Sequence, residues 1–209
     1  MLNFKLIKKY VVLIGFLISF SANSGSYEDF FKALKTNDLN VARQLLVRGF
    51  DPNTVDLEGR AALLVAWRFE SLGVLDLLLD WPGTKAEVRN ELDESLLMLA
   101  ALKGQTSLVQ KLISRDADVN KPGWAPLHYA ATGGHPQIIQ LLLDQSAYID
   151  AESPNGTTPL MMAARYGNAA CVKLLLDEGA DVLLKNQLGL TALDFAHAGN
   201  RPDAIALLR

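Results

Sequence analysis

A repeat of about 33 residues constrains the fold of this 209-residue chain more than any other feature. An apolar residue recurs six times, at intervals of 33, 34, 30, 33 and 33 residues: Phe30, Leu63, Leu97, Leu127, Leu160 and Leu193. A second apolar residue follows each of them by 15 residues: Leu45, Leu78, Leu112, Leu142, Leu175 and Leu208. Because a unit of this length cannot bury its apolar surface alone, we expect the units to stack on one another.

Each unit has the pattern of two short helices, which is clearest in the fifth. Thr158 before Pro159 is a typical N-cap followed by proline at the first helical position. An apolar stripe at helical spacing begins at Leu160. Gly167 breaks this helix, a second apolar face follows, and Gly179 has the place of a C-cap. The sequence therefore predicts a helix-turn-helix unit.

Particular runs within the units resemble the ankyrin repeat. They are GWAPLHYAA from Gly123, GTTPLMMAA from Gly156, LLDEGADV from Leu175 and ADVN from Ala117. The resemblance covers about residues 27–209 and implies an all-α fold, an ankyrin-repeat α-solenoid of about five and a half helix-turn-helix repeats with short β-hairpin fingers. The expected repeats span about 27–56, 57–91, 92–122, 123–154, 155–187 and 188–209 within a domain of residues 25–209.

The sequence departs from the ankyrin pattern at three places. Only 30 residues separate Leu97 from Leu127, and the deficit lies between Asn120 and Gly123, so we expect a finger about three residues short. The polar stretch 81–93 replaces the usual repeat ending and predicts an irregular joint. Trp67 stands where the family carries Ala, so we expect the helices of the second repeat to spread or the indole to turn outward.

The first 24 residues have the pattern of a secretory signal peptide. Lys5, Lys8 and Lys9 precede an apolar or small run from Val11 to Phe20, and small residues then lead to a cleavage site after Ser24. The run is shorter than the roughly 20 residues that a spanning helix needs. We therefore expect an exported chain that is periplasmic in a bacterium. The alternative is an uncleaved inner-membrane anchor over residues 10–22 that faces the repeats toward the periplasm.

Few residues in the sequence suggest catalysis, a metal or a cofactor. Cys171 lies within an apolar run and is expected to be a buried structural residue. His128 falls where ankyrin repeats carry a structural histidine, His135 matches the turn between helices, and His197 replaces an alanine near the last repeat. With a single cysteine there is no zinc pairing, and no glycine-rich phosphate loop is present. We predict no enzyme activity, no metal and no cofactor, although bound metal would revive a hydrolase hypothesis.

The resemblance implies that a protein partner lies on residues beside the finger glycine and at the exposed end of the first helix of each repeat. The positions that correspond are Arg60, Arg68, Phe69, Glu94, Leu102, Lys103, Trp124, Thr132, Thr157, Arg165 and Tyr166. Tryptophan, tyrosine and arginine are enriched at the energetic centres of interfaces. A net charge of −3, without a concentrated basic surface, argues against nucleic acid as a partner.

Two functional hypotheses follow. The first is an exported, monomeric, non-enzymatic scaffold that binds a protein partner through the concave ankyrin groove, without a small-molecule substrate. The second is a membrane-tethered stress or assembly factor in which residues 10–22 remain attached. The glycosylation tripeptide at Asn155 would place a glycan on a fingertip of that groove in a eukaryotic secretory pathway, which favours a bacterial source.

Overall fold

The computed structural model describes residues 25–209, and the predicted signal segment lies outside them. Twelve helices occur in the described part, where residues 25–36 form α1. The others are α2 (Leu39–Val47), α3 (Ala62–Arg68), α4 (Leu72–Asp80), α5 (Leu96–Leu102), α6 (Thr106–Ile113), α7 (Pro126–Gly133), α8 (Pro136–Asp144), α9 (Pro159–Arg165), α10 (Ala169–Asp177), α11 (Ala192–Ala198) and α12 (Pro202–Leu207). Each repeat supplies two consecutive helices, so the predicted all-α ankyrin solenoid is confirmed.

The helices belong to two compact units that meet in the chain after Thr84. In the first unit, α4 packs on both α2 and α3. In the second unit, the first helices of successive repeats pack in the order α5, α7, α9 and α11, and the second helices pack in the order α6, α8, α10 and α12. The second unit therefore has two helical layers. The division between units falls inside the stretch 81–93, for which the sequence predicts an irregular joint.

Capping residues and small apolar side chains explain why the helices are short and close together. Thr158 caps α9 by accepting the Met161 N–H (3.4 Å), and Asn168 caps α10 by accepting the Cys171 N–H (2.9 Å). Most residues of the first helices are buried, and most of these are alanine or leucine. In α3, all five residues from Ala62 to Ala66 are buried. Alanine at these positions lets neighbouring first helices approach closely.

Four of the fingers, the segments that lead into the first helices, close with the same turn. Its first residue is Asp56, Asn90, Ser153 or Asn186, whose side-chain oxygen accepts the backbone N–H four positions later at 2.9 to 3.0 Å. The backbone N–H of the first residue donates to the carbonyl of that same later residue. The fourth position has a left-handed backbone, with φ between +60° and +79°, at Gly59, Asp93, Gly156 and Gly189.

The fingers are short, as predicted, and their hairpin pairing is minimal. Within residues 25–209, strand pairing is limited to the isolated bridges Val55 to Ala61 and Arg89 to Ser95. The reason is length, since each turn already satisfies its backbone groups within five residues and leaves no room for a strand ladder.

The finger before α7 is short, as the sequence predicts, and lacks the shared turn. Asn120 accepts the Tyr148 N–H (2.8 Å) and donates to the Ser146 carbonyl (2.7 Å). Asp150 has the corresponding place in the next repeat, where it accepts the Asp181 N–H (3.1 Å) and the turn begins three residues later. Those three residues are missing after Asn120, so the fourth finger has no side chain to start the turn.

Ion pairs hold this short finger to the preceding one. Arg89 pairs with Glu87 (2.7 Å), Asp93 (3.2 Å) and Asp118 (3.2 Å), and Lys121 also pairs with Asp93. The hydrogen bond from Lys121 is the largest cause of a lowered pKa at Asp93. A network of five charged groups thus takes the place of the missing turn.

Trp67 is partly exposed, which agrees with the expectation that the indole turns outward. It lies near the end of α3, after the five buried residues of that helix. A tryptophan at this register cannot fit into the space that alanine fills in three other first helices, at Ala101, Ala131 and Ala164.

Candidate functional site

An apolar depression lies on the surface that the first helices of the second unit form. Six residues of α5, α7, α9 and the fourth finger line it: Leu102, Trp124, His128, Tyr129, Thr132 and Met162. Its volume is about 200 Å³. We call this the apolar depression, and we call the surface of α5, α7, α9 and α11 with their fingers the first-helix face.

The side-chain polar atoms of Tyr129, Thr132 and His128 in the lining are bonded within the protein. Tyr129 donates its hydroxyl to Glu94 (2.8 Å), and Thr132 donates its hydroxyl to the His128 carbonyl (2.7 Å). His128 accepts the Ala125 N–H at Nδ1 (3.2 Å), so its protonated Nε2 donates to the Thr157 carbonyl (2.9 Å). The depression therefore presents carbon to an incoming group, and covering it leaves these hydrogen bonds intact.

Burial sets the protonation of the two titratable side chains in the lining. Burial first, and then the hydrogen bond and charge of Glu94, raise the pKa of the Tyr129 hydroxyl. Burial lowers the pKa of His128 below its usual value, despite hydrogen bonds to Thr157 and Ala125. Both groups are neutral at physiological pH, so neither supplies a charge to the depression.

Positive charge lies beside the depression instead. Lys103 follows Leu102 at the carboxyl end of α5, and Arg165 lies one helical turn after Met162 at the carboxyl end of α9. Within residues 25–209 neither forms a salt bridge. Arg165 stacks on Tyr166, with its guanidinium carbon 5.1 Å from the ring centroid.

The structure brings several of the predicted partner-binding residues together. Leu102, Trp124 and Thr132 line the depression. Glu94 joins it through the Tyr129 hydroxyl, and Lys103 is exposed beside it. Trp124 also packs edge-on against the His128 ring, with centroids 5.3 Å apart.

Thr157 is wrong as a contact residue, because only 2% of it is exposed. Its backbone N–H donates to Ser153 Oγ (2.9 Å) in the finger turn, and its carbonyl accepts from His128. Trp124 and Thr157 have the same place in successive fingers, but only Trp124 is partly exposed to solvent, because the finger turn buries Thr157. Arg165 is partly exposed and Tyr166 is 53% exposed, as a contact role requires.

The first unit holds the other three predicted residues, which are described by themselves. Arg60 is bound by Asp56 (2.6 Å) and Glu58 (2.6 Å) within its own finger. Burial alone would raise the pKa of Asp56, yet the hydrogen bonds from Arg60 lower it below the usual value. Arg68 is exposed at the end of α3, and Phe69 is 45% exposed, with Lys35 Nζ 5.7 Å from its ring centroid.

Three lining residues lie outside the predicted partner-binding set: His128, which was expected to be structural, and two that sequence reasoning missed, Tyr129 and Met162. Both follow the first anchor of their repeat by two positions, where Leu99 and Phe195 stand in the neighbouring repeats. Leu99, Tyr129 and Met162 are partly exposed, whereas Phe195 is buried. The repeat period could have identified this row, because residues with the same register on stacked helices face the same surface.

The remaining candidates for chemistry have structural surroundings. His135 begins α8 and its Nε2 lies 3.1 Å from the Leu102 carbonyl, while His197 is exposed at the end of α11. Burial raises the pKa of the Cys171 thiol to about 11. Within residues 25–209, histidine, cysteine, aspartate and glutamate side chains form no cluster that could hold a metal ion.

A family profile described as ankyrin repeats (3 copies) matches residues 30–122, 65–153, 97–186 and 148–209. The chain belongs to the ankyrin-repeat family. Ankyrin repeats generally mediate protein–protein interaction. Among residues 25–209, no helix is long and apolar enough to cross a membrane.

Curated relatives share part of this ankyrin array. The chain is 35% identical over 118 residues to ankyrin repeat and SAM domain-containing protein 6 of Danio rerio, which covers 54% of the chain and 16% of that protein. It is 32% identical over 119 residues to ankyrin repeat, SAM and basic leucine zipper domain-containing protein 1 of Atelerix albiventris, which covers 54% and 25%. The chain thus spans a quarter or less of these relatives.

Solved ankyrin structures match along nearly their whole length. One chain from the complex of a predatory endopeptidase of Bdellovibrio bacteriovorus with an immunity protein has a TM-score of 0.74 at 26% identity, which covers 86% of this chain and 96% of that one. An ankyrin repeat domain from Acinetobacter baumannii has a TM-score of 0.75 at 24% identity, which covers 86% and 95%. The second likeness shows the fold alone.

Proposed function

We propose that this protein is a non-enzymatic ankyrin module that binds a protein partner on its first-helix face. The observation that carries the proposal is the apolar depression. Its Tyr129 and Thr132 hydroxyls are bonded internally, and the neighbouring Lys103 and Arg165 form no salt bridge within residues 25–209. Trp124, Tyr129 and Arg165 are of the types that dominate interface energetics. The depression and its rim therefore have the composition of a binding centre.

The test is capture of a partner by the tagged full-length chain from extract of its own cells. A variant with Trp124→Ala and Met162→Gln should lose most of the captured protein, because both changes remove apolar contact area. Lys173→Glu is the control, since Lys173 is exposed on α10 and pairs with its neighbour Asp177 (2.7 Å), away from the first-helix face. Capture of no protein by the unchanged chain at low salt would refute the proposal.

We propose further that the module is exported and acts in a bacterial periplasm after removal of residues 1–24. The support is the sequence pattern of a positive start, an apolar run and small residues before Gly25. The alternative, a tethered stress or assembly factor, keeps residues 10–22. The mass of the protein recovered from the periplasm distinguishes them, because cleavage gives a chain that begins near Gly25.

The similarity to a chain from an endopeptidase–immunity protein complex favours one class of partner. We propose that the partner is an exported hydrolase, which the module occludes. Any captured hydrolase should lose activity when the unchanged chain is added, and should keep it when the Trp124→Ala, Met162→Gln variant is added. A captured protein whose activity is unaffected by the chain would contradict this assignment of the partner while leaving protein binding in place.

A further inference from the structure

The size of the apolar depression indicates what fits into it. Its volume of about 200 Å³ is below the roughly 300 Å³ at which small-molecule sites begin. The lining supplies aromatic, leucine and methionine carbon, and methionine adapts readily to different apolar shapes. A single large apolar side chain of a protein is therefore the better occupant than a cofactor or metabolite.

The charges around the depression indicate what lies next to that side chain. Lys103 and Arg165 stand at the carboxyl ends of α5 and α9, the two helices that flank α7. The nearby acidic group, Glu94, is already bonded to the Tyr129 hydroxyl (2.8 Å) and to the Asn90 amide (2.8 Å). The rim thus offers two cations, and Glu94, the acidic group bonded to the lining, is already committed.

We propose that the depression recognises a large apolar side chain followed or preceded by an acidic residue, with the carboxylate held by Lys103 on one side of α7 or by Arg165 on the other. This inference rests on the proposed protein-binding function and names the chemistry of the partner segment. The apolar side chain supplies contact area, while the carboxylate fixes its orientation through charge-assisted hydrogen bonds, which an arginine fork forms well. A segment with a basic residue at that place meets like charge and is rejected.

Selection from a random peptide library displayed on phage tests this chemistry. The full chain should enrich peptides that join an aromatic or leucine residue to aspartate or glutamate. A double variant, Lys103→Glu with Arg165→Glu, should enrich basic residues at the same place instead. The control Lys173→Glu reverses a single charge outside the first-helix face and should enrich the same acidic peptides as the unchanged chain.

Affinity measured by fluorescence anisotropy quantifies the result. The best selected peptide should bind the double variant at least about tenfold more weakly, and Met162→Gln should weaken it to a similar extent. Circular dichroism before each titration establishes that the variants are folded. Weaker binding of the double variant that disappears when the peptide carboxylate is replaced by an amide assigns the effect to the charge pair.

Three results would overturn the inference: no enriched peptide, enrichment without acidic residues, or the same peptides on the unchanged chain and the double variant. These results are separate from the fate of the proposed function. If the natural partner is captured equally well by the double variant, protein binding stands and this chemistry is wrong. If no protein is captured at all, the proposed function itself fails.

Discussion

Replacement of Gly104 by alanine tests how neighbouring repeats are joined below the apolar depression. Gly104 has a left-handed backbone (φ +71°), and a Cβ atom there would lie 2.5 Å from Cε1 of His135 in the next repeat. His135 Nε2 lies 3.1 Å from the Leu102 carbonyl. A methyl group must therefore push the imidazole away from its hydrogen-bond partner.

The expected cost has two parts. A left-handed backbone costs an alanine about 1–2 kcal/mol, and loss of one hydrogen bond costs about 0.5–1.5 kcal/mol. Gly104→Ala should therefore lower the free energy of unfolding by about 2–3 kcal/mol. Gly189→Ala is the matched control, because Gly189 has nearly the same φ (+75°) and no atom within 4 Å of its Cβ position. It should lose the backbone part alone.

Urea denaturation can be followed through Trp124, the only tryptophan between Lys85 and Arg209, once Trp67 and Trp81 are changed to Phe. The part of the cost that comes from the lost His135 hydrogen bond should vanish when His135 is also alanine. Gly104→Ala should then cost about as much as Gly189→Ala. Equal costs for the two glycine changes with His135 present, or a full cost of Gly104→Ala without His135, would refute this account of the repeat junction.

Three further predictions concern buried or partly buried ionisable groups. Burial is the largest cause of the raised pKa of Asp150, so its contribution to stability is present at low pH and is lost as pH rises through the folded pKa. Asp150→Asn, which keeps the acceptor for the Asp181 N–H, should stabilise the protein by a few tenths of a kcal/mol at pH 7 and not at pH 3. Asn120→Asp should instead destabilise it at pH 7. Denaturant titrations at the two pH values measure both changes. His128→Ala should destabilise the protein by about 2–4 kcal/mol. Because the folded pKa of His128 is lowered, the unchanged protein should lose stability as pH falls below about 6.5. The His128→Ala variant should lack this part of the pH dependence. Cys171, with a thiol pKa of about 11, should react with a thiol reagent at pH 8 only after urea is added, and rapid reaction in native buffer would show that α10 opens.

The helical repeats could be predicted because their physical causes are local or periodic. The first anchors of five repeats are buried, namely Phe30, Leu63, Leu97, Leu127 and Leu160, whereas Leu193 is partly exposed. The cap Thr158 starts its helix where the sequence places it. The finger before α7 was also predictable, because a deletion changes the interval between anchors. Such features depend on spacing, and spacing is visible in one sequence.

The candidate site was less predictable because exposure depends on the neighbouring repeat. Trp124 and Thr157 have the same place in successive fingers, yet Trp124 is partly exposed and Thr157 is buried by its turn and by His128. Tyr129 and Met162 were missed because a residue two positions after a buried anchor reads as core. Only the packing of α7 between α5 and α9 shows that their side chains reach the surface.

The shared finger turn separates what holds the backbone from what meets the solvent. The Asx or serine side chain at the first position and the left-handed residue at the fourth close the loop, and a leucine between them projects into solvent in three of the turns. Leu57, Leu92 and Leu188 in these turns are 94%, 74% and 78% exposed. These exposed tip leucines can therefore be substituted one at a time without loss of the hydrogen bonds that close the turn, so the surface of a finger can change while its backbone stays the same.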